Sequence, residues 1–169
     1  MVFGGLPINL SRGLGNVDTL IEETEREIGV PVTTSVSAQM KAFRMLGSKK
    51  VGVCQPYDAS HGPRHLKYIE NFGLTPTGCL GADAKFIELG KIPSEKAFDP
   101  GRAVKAARPD TDTLYYSCPH WAVIDAIEPL ERELGVTVMT ALQAITWEAF
   151  RRCGIEGRIP GYGRLLREF

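Results

Sequence analysis

The sequence of 169 residues has no excess of charge of either sign, because 20 lysine and arginine residues balance 20 aspartate and glutamate residues. This balance argues against a general binder of nucleic acids or of acidic membranes. No apolar run is long enough to span a bilayer. The sequence also shows no signal-peptide pattern, in which a charged segment is followed by an apolar stretch. We therefore expect a cytoplasmic protein whose partners include neither nucleic acid nor membrane.

Paired cysteines and clustered metal ligands are also missing. The four cysteines are scattered without a CxxC pair, and the three histidines form no HExxH pattern. His61 and His65 would share one face of a helix, but Pro63 lies between them and no nearby cysteine completes a ligand set. The sequence therefore predicts reduced thiols, with neither a disulfide framework nor a metal site.

The apolar patterning alternates between short strands and helices without hairpin signals, which is typical of a parallel sheet flanked by helices. The predicted helices cover residues 16–28, 36–46, 64–72, 84–89, 99–108, 120–134 and 141–152; the predicted strands cover residues 30–33, 50–54, 74–80, 113–117 and 136–139. Two units, residues 22–46 and 126–150, repeat the order helix, glycine, strand, helix. This repeat indicates two similar α/β lobes.

Cys118 lies between an apolar strand pattern and the long predicted helix over residues 120–134. In α/β enzymes, active-site residues usually lie at the carboxyl ends of the parallel strands. A helix that begins directly after the cysteine would favour the thiolate through its macrodipole and unpaired N–H groups. The alternative is a buried, inert cysteine. Position alone leaves both interpretations open.

Eight segments follow one another in a characteristic order: residues 5–13, 29–34, 42–47, 51–57, 112–118, 131–135, 143–154 and 161–165. Together, over nearly the whole chain, they resemble the aspartate/glutamate racemase superfamily, and most closely the branch that holds arylmalonate decarboxylase and maleate cis-trans isomerase. The resemblance implies two α/β lobes with parallel sheets and a pseudo-twofold axis, with the active site in the cleft between them. It also implies that no metal and no organic cofactor takes part.

The same resemblance divides the chain into lobes. Residues 1–47 would form the remainder of the N-terminal lobe, joined by the C-terminal tail 154–169, and residues 48–153 would form the second lobe. Members of the family carry a further N-terminal segment with a strand and a substrate-binding loop. We therefore expect an incomplete first lobe, in a truncated sequence or a reduced homologue. Its exposed strand edge would favour a homo-oligomer.

The resemblance also assigns roles to residues near Cys118. Cys118 aligns with the second catalytic cysteine of the family, whereas Gly5 stands where the first would be, a pattern that the decarboxylases share. Tyr57 aligns with a tyrosine that donates a hydrogen bond to a substrate carboxylate; the alternative is a tyrosine at the edge of the core. Backbone amides around Gly4 and Gly5 would help to hold the carboxylate.

Three hydrogen-bond donors of the decarboxylase pattern are weakened or missing. Leu6 and Pro7 stand where the family has a pair of hydroxyl side chains, and Pro119 replaces a glycine whose N–H would contact the substrate. Asn9 or His120 could replace one of these donors. His120 could instead act as the partner of the thiol or as a second acid or base, or simply lie in the first turn of a helix.

The resulting prediction is a cofactor-independent enzyme in which a cysteine acts as acid or base at the carbon next to a carboxylate. Its substrates would be small mono- or dicarboxylic acids. Decarboxylation or isomerisation fits one thiol better than racemisation, which needs an acid or base on each face of the substrate. Thiolate addition to an alkene ranks lower, because in the family it belongs chiefly to the first cysteine. The competing prediction is a degenerate or truncated, non-catalytic homologue that binds a ligand or self-associates.

Overall fold

The computed structural model describes residues 1–5 and 16–169. The strands in these ranges are β1 (Val2–Phe3), β2 (Thr33–Thr34), β3 (Lys50–Gln55), β4 (Thr75–Gly81), β5 (Thr113–Tyr116) and β6 (Thr137–Thr140). The α-helices are α1 (Val17–Ile28), α2 (Ser35–Leu46), α3 (Gly62–Asn71), α4 (Phe98–Ala107), α5 (Ile127–Leu134), α6 (Ala141–Arg152) and α7 (Arg164–Glu168). In the described ranges, no helix combines the length and the apolar character that crossing a bilayer requires.

The strands form two parallel sheets. One sheet pairs β1 with β2, and the other has the strand order β4-β3-β5-β6. In the larger sheet, Val53 and Tyr115 point into one apolar core, whereas Leu114 and Tyr116 point into a second core on the opposite face. Because both faces are covered by helices, nearly every residue of β3 and β5 is buried, as in other parallel α/β sheets. The predicted fold class, with parallel sheets flanked by helices, is confirmed.

The repeat that was read in the sequence is present in the structure. Helices α1 and α5 both end at a glycine with a left-handed backbone, Gly29 and Gly135, and each leads through a short strand to a helix capped by a threonine. Thr34 accepts a hydrogen bond from the first turn of α2, and Thr140 does the same for α6. The two equivalent helices α2 and α6 pack against each other. They therefore join the two repeated units.

The C-terminal tail packs back on these helices. Leu165 and Leu166 of α7 belong to the same apolar core as residues of α1, α2 and α6. Gly163 precedes α7 with φ of 82°, and a Cβ at this position would lie 2.3 Å from Ile127. Glycine is therefore required where the tail meets α5. The division of the chain into two lobes stays a prediction.

The prediction of one long helix over residues 120–134 is wrong. The chain turns after Cys118, Ile124–Ala126 forms a single 3₁₀ turn, and α5 begins only at Ile127. Pro129 explains the late start, because proline is tolerated in the first turn of a helix but disrupts its interior. Trp121 is buried although it lies in this non-helical segment. Cys118 consequently does not lie at the N-terminus of a helix.

A second correction concerns the helix predicted over residues 99–108. Asp99 and Pro100, with which the predicted helix began, lie inside α4, which begins at Phe98 after a 3₁₀ turn over Ser94–Ala97. Pro100 still lies in the first turn, where it needs no backbone N–H.

Candidate active site

Two side chains meet where β3 and β5 end. Tyr57 lies just beyond β3, and Cys118 lies two residues beyond β5, its neighbour in the sheet. The hydroxyl of Tyr57 donates a hydrogen bond to the sulfur of Cys118 over 3.2 Å. Cys118 is only 3% exposed, so little water competes for its sulfur. The carboxyl ends of parallel strands are the usual place for ligands in open α/β sheets.

The phenol of Tyr57 is suited to stay protonated. Burial raises its pKa above the ordinary value, and the hydrogen bond and charge of Cys118 raise the pKa further. A phenol that keeps its proton acts as a donor toward the sulfur. It would stabilise the sulfur most when the sulfur carries negative charge, because hydrogen bonds to charged acceptors are the stronger ones.

Two histidines pack on the ring of Tyr57. The ring of His65 stacks nearly parallel to it at 6.1 Å, and the ring of His61 lies at 5.2 Å. Nδ1 of His65 lies 3.1 Å from the carbonyl oxygen of His61. A carbonyl can only accept, so Nδ1 carries the hydrogen and Nε2 of neutral His65 is an acceptor. Burial lowers the pKa of His65, which favours this neutral form.

Two cavities lie beside this pair of strand ends. The smaller one, of about 60 Å³, is lined by Gly5, Ser35, Gln39, His65, Tyr68, Tyr115, Ser117, Pro119, Ala141 and Ile145. The larger one, of about 450 Å³, is lined mainly by apolar residues, among them Trp121, Val123, Ile124, Leu142, Phe150 and Ile159, and also by Cys118. Pro119 borders both cavities, so the segment after β5 separates one from the other.

The chain matches one protein family over almost its whole length. The family model described as arylmalonate decarboxylase matches residues 2–166. The chain belongs to the arylmalonate decarboxylase family.

Individual members of this family and its branch support the assignment. The arylmalonate decarboxylase of Bordetella bronchiseptica is 30% identical over 166 residues, which are 97% of this chain and 69% of that protein. The maleate isomerase of Nocardia farcinica (strain IFM 10152) is 28% identical over 139 residues, 81% of this chain and 55% of that protein. The structure of unliganded arylmalonate decarboxylase has a TM-score of 0.89 at 29% identity, covering 99% of this chain and 72% of that one. The resemblance read from the sequence is thereby confirmed.

The structure brings together most of the residues that the arylmalonate decarboxylase resemblance pointed to. Gly5 lines the smaller cavity, and His120 lines the larger one from an exposed turn. Gly4 is exposed and is not among the lining residues of either cavity. Asn9, like Leu6 and Pro7, lies outside the described residues.

Sequence reasoning missed the polar lining of the smaller cavity. Gln39, Tyr68 and Tyr115 form a buried hydrogen-bonded cluster there, and Ser117 lines the same space. Gln39 alone left a trace in the sequence, as a polar residue within the buried stripe of α2. His65 was noted only as half of an improbable metal pair. Among the described residues, no cluster of three histidine, cysteine or acidic side chains could hold a metal ion.

Proposed function

We propose that the chain is a cofactor-independent decarboxylase or isomerase in which Cys118 moves a proton at the carbon next to a carboxylate. The observation that carries this proposal is the hydrogen bond from Tyr57 to the Cys118 sulfur, at the carboxyl ends of two parallel strands and beside the larger cavity, which Cys118 lines. Membership of a family named for a decarboxylase, and likeness to maleate isomerases, supports the reaction class.

In the proposed reaction, the carbon next to the carboxylate acquires negative charge, either by loss of carbon dioxide or by loss of a proton to the Cys118 thiolate. The thiol of Cys118 then donates its proton to that carbon, and the thiolate left behind accepts the hydrogen bond of Tyr57. In the reverse direction the thiolate takes the proton. The negative charge on the substrate oxygens needs donors of its own, and backbone N–H groups near Gly4 and Gly5 are the candidates.

The proposed substrates are small mono- or dicarboxylic acids. The names of the Bordetella and Nocardia relatives, an arylmalonate decarboxylase and a maleate isomerase, both refer to acids of this kind. The larger cavity, about 450 Å³ and mainly apolar, is adjacent to Cys118 and has room for an apolar substituent on the reacting carbon.

The test is hydrogen–deuterium exchange at the carbon next to the carboxylate, followed by proton NMR in D₂O with a panel of aryl-substituted and aliphatic acids. A second readout is carbon dioxide release from substituted malonates. We expect the Cys118→Ser variant to lose at least 100-fold in rate, the usual contribution of a positioned acid or base. Cys153→Ser is the matched control, because that thiol is exposed and far from β5 in sequence.

The alternative, a non-catalytic homologue, makes the opposite prediction. Pro119 has no N–H to offer a substrate oxygen, so a donor that an enzyme would need is missing at this position. Equal exchange rates in the unaltered protein and Cys118→Ser, or no exchange with any acid of the panel, would favour that alternative.

A further inference from the structure

Two imidazole rings lie against the phenol ring that contacts Cys118. His61 lies immediately before α3 and His65 lies within it, and their ring centroids are 5.2 Å and 6.1 Å from the centroid of Tyr57. The hydroxyl of the same phenol donates to the Cys118 sulfur. A positive charge on either imidazole would therefore act on the group that stabilises the thiolate.

The charge of His61 has a partner close by. Its Nδ1 lies 3.4 Å from a carboxylate oxygen of Asp58, and its side chain is 44% exposed. The other oxygen of Asp58 accepts the backbone N–H of Ser60 over 2.8 Å. The hydrogen bonds from Ser60 hold the pKa of Asp58 below its ordinary value, so this carboxylate stays ionised in mildly acid solution. A proton on His61 would therefore be balanced by Asp58 and screened by water.

The surroundings of His65 differ. Its Nδ1–H donates to the carbonyl oxygen of His61 over 3.1 Å, and its Nε2 has no hydrogen-bond partner among the described residues. The other titratable side chains that line the smaller cavity are Tyr68 on α3 and Tyr115 on β5. Burial raises the pKa of both phenols, so neither carries negative charge. A proton on Nε2 would therefore bring a positive charge to Tyr57 that no described carboxylate contacts.

Such a charge would make the thiol of Cys118 more acidic. A phenol beside a cation is a stronger hydrogen-bond donor, and a positive charge nearby favours the thiolate. Burial lowers the pKa of His65, so the ring is neutral at neutral pH and becomes charged only in more acid solution. The neutral ring leaves Cys118 as the thiol, the form that donates a proton in the proposed reaction.

We propose that His65 is a positioning residue that sets the acidity of the Cys118 thiol through the ring of Tyr57. Neutral His65 supports the phenol by stacking alone. When Nε2 takes up a proton, the phenol becomes a stronger donor and the thiol becomes more acidic. This proposal rests on the proposed function only for the role of the thiol in turnover, because the acidity of a thiol can be measured without a substrate.

The experiment measures the rate at which iodoacetamide alkylates Cys118 between about pH 5 and about pH 8, by peptide-resolved mass spectrometry. Because the thiolate is the reacting form, the rate for an isolated thiol falls about tenfold for each unit of pH below its pKa. In the unaltered protein, we expect the rate in the acid part of this range to exceed that line by about threefold or more, since protonated His65 stabilises the thiolate. In His65→Gln the excess should disappear, because the amide has no charge and can still donate to the carbonyl oxygen of His61.

Three further variants keep the test decisive. His61→Gln is the matched control, because it also removes an imidazole from Tyr57, but one whose charge Asp58 balances, and it should keep the excess. Tyr57→Phe should lose the excess, because no hydroxyl is left to act on the sulfur. His65→Asn, a shorter amide, serves if circular dichroism shows that His65→Gln does not fold.

The proposal is overturned if the rate in the unaltered protein follows the tenfold line throughout, or if the excess remains in the folded His65 variant. It is also overturned if the excess remains in Tyr57→Phe, because the charge would then act on the sulfur directly. Loss of the excess in His120→Gln alone would assign the effect to that ring, which lines the larger cavity with Cys118.

The outcomes separate this proposal from the proposed function. An excess that depends on His65, in a protein that catalyses no exchange at the carbon next to the carboxylate, would support the positioning role and contradict the acid/base role of Cys118. Exchange that depends on Cys118, together with a rate that follows the tenfold line, would do the reverse.

Discussion

At the scale of single residues, the structure places a phenol beside the Cys118 sulfur and not a helix N-terminus. The sequence pattern placed Cys118 at a helix N-terminus, but the chain turns there and α5 begins nine residues later. Among the described residues, the stabilising group that the structure provides is the hydroxyl of Tyr57, 3.2 Å from the sulfur. The thiolate would therefore gain its stability from one hydrogen bond whose removal can be tested directly.

We expect Tyr57→Phe to lower the rate at which iodoacetamide alkylates Cys118 by about tenfold at neutral pH. The reason is that a hydrogen bond to a charged acceptor contributes about 1.5–3 kcal/mol, and the thiolate is the reacting form. Peptide-resolved mass spectrometry would measure the rate for Cys118 apart from the other three cysteines.

Tyr116→Phe is the control for this change. It also removes a buried tyrosine hydroxyl, but one that donates to the carbonyl oxygen of Ala97 at 2.6 Å. An equal loss of alkylation rate in both variants would show that the hydrogen bond of Tyr57 is not the cause.

The sequence could identify Cys118 and Tyr57 because each lies in a segment with a family pattern and follows a recognisable strand. It could not identify the smaller cavity. Gln39 and His65 come from two helices that are distant in sequence, and neither belongs to a segment with a family pattern. Their proximity depends on how α2 and α3 pack beside β5, which no local pattern contains.

At the scale of elements, two of the helices that border the site, α2 and α6, begin with a threonine cap. Thr140 accepts a hydrogen bond from the backbone N–H of Gln143, and the side chain of Gln143 accepts from the backbone N–H of Thr140. This reciprocal pair is a capping box, and it fixes the first turn of α6 beside both cavities.

We expect Thr140→Ala to lower the free energy of unfolding by about 1 kcal/mol, the typical contribution of an N-cap side chain. Thr140→Ser keeps the hydroxyl and should recover most of this loss. Urea unfolding followed by circular dichroism would measure both. If the serine and alanine variants lost the same amount, the cap would not be what stabilises α6.

Most elements could be predicted because their boundaries carry strong local signals. Gly29, Gly47 and Gly135 each end a helix with a left-handed backbone, and the predicted ends at these positions agree with the structure. The segment after β5 could not be predicted in the same way. Its buried residues have a helical spacing, and only Pro129 argued against a long helix.

At the scale of the whole molecule, the two repeated units are joined through a buried carboxylate. Glu148 on α6 is 4% exposed and contacts Lys41 on α2 and Arg152 on its own helix. Arg152 also contacts Glu25 on α1, 2.6 Å away. Three helices thus share one network of charges around a buried carboxylate.

We expect Glu148→Gln to lower the free energy of unfolding by about 2 kcal/mol. Loss of the negative charge weakens its hydrogen bonds to Lys41 and Arg152, and hydrogen bonds to charged groups contribute about 1.5–3 kcal/mol. Chemical unfolding at neutral pH would measure the change.

The control is Glu70→Gln, which breaks an exposed pair with Lys67. Exposed ion pairs contribute about 0–1 kcal/mol, so this variant should change stability little. Similar losses in both variants would contradict a special role for the buried carboxylate.

The hydrogen bond between Tyr57 and Cys118 also links chemistry to the assembly of the sheet. In the observed register of β3 and β5, Cys54 lies opposite Tyr116, and the phenol and the thiol follow three and two residues later. A slip of one residue would move one strand end by about 3.3 Å along the sheet and turn its side chains to the opposite face. The contact would then be lost while both strands remained paired. Under the proposed function, such a chain would have no activity, so activity regained in a refolding experiment would count only molecules in which these two strands have found their native alignment.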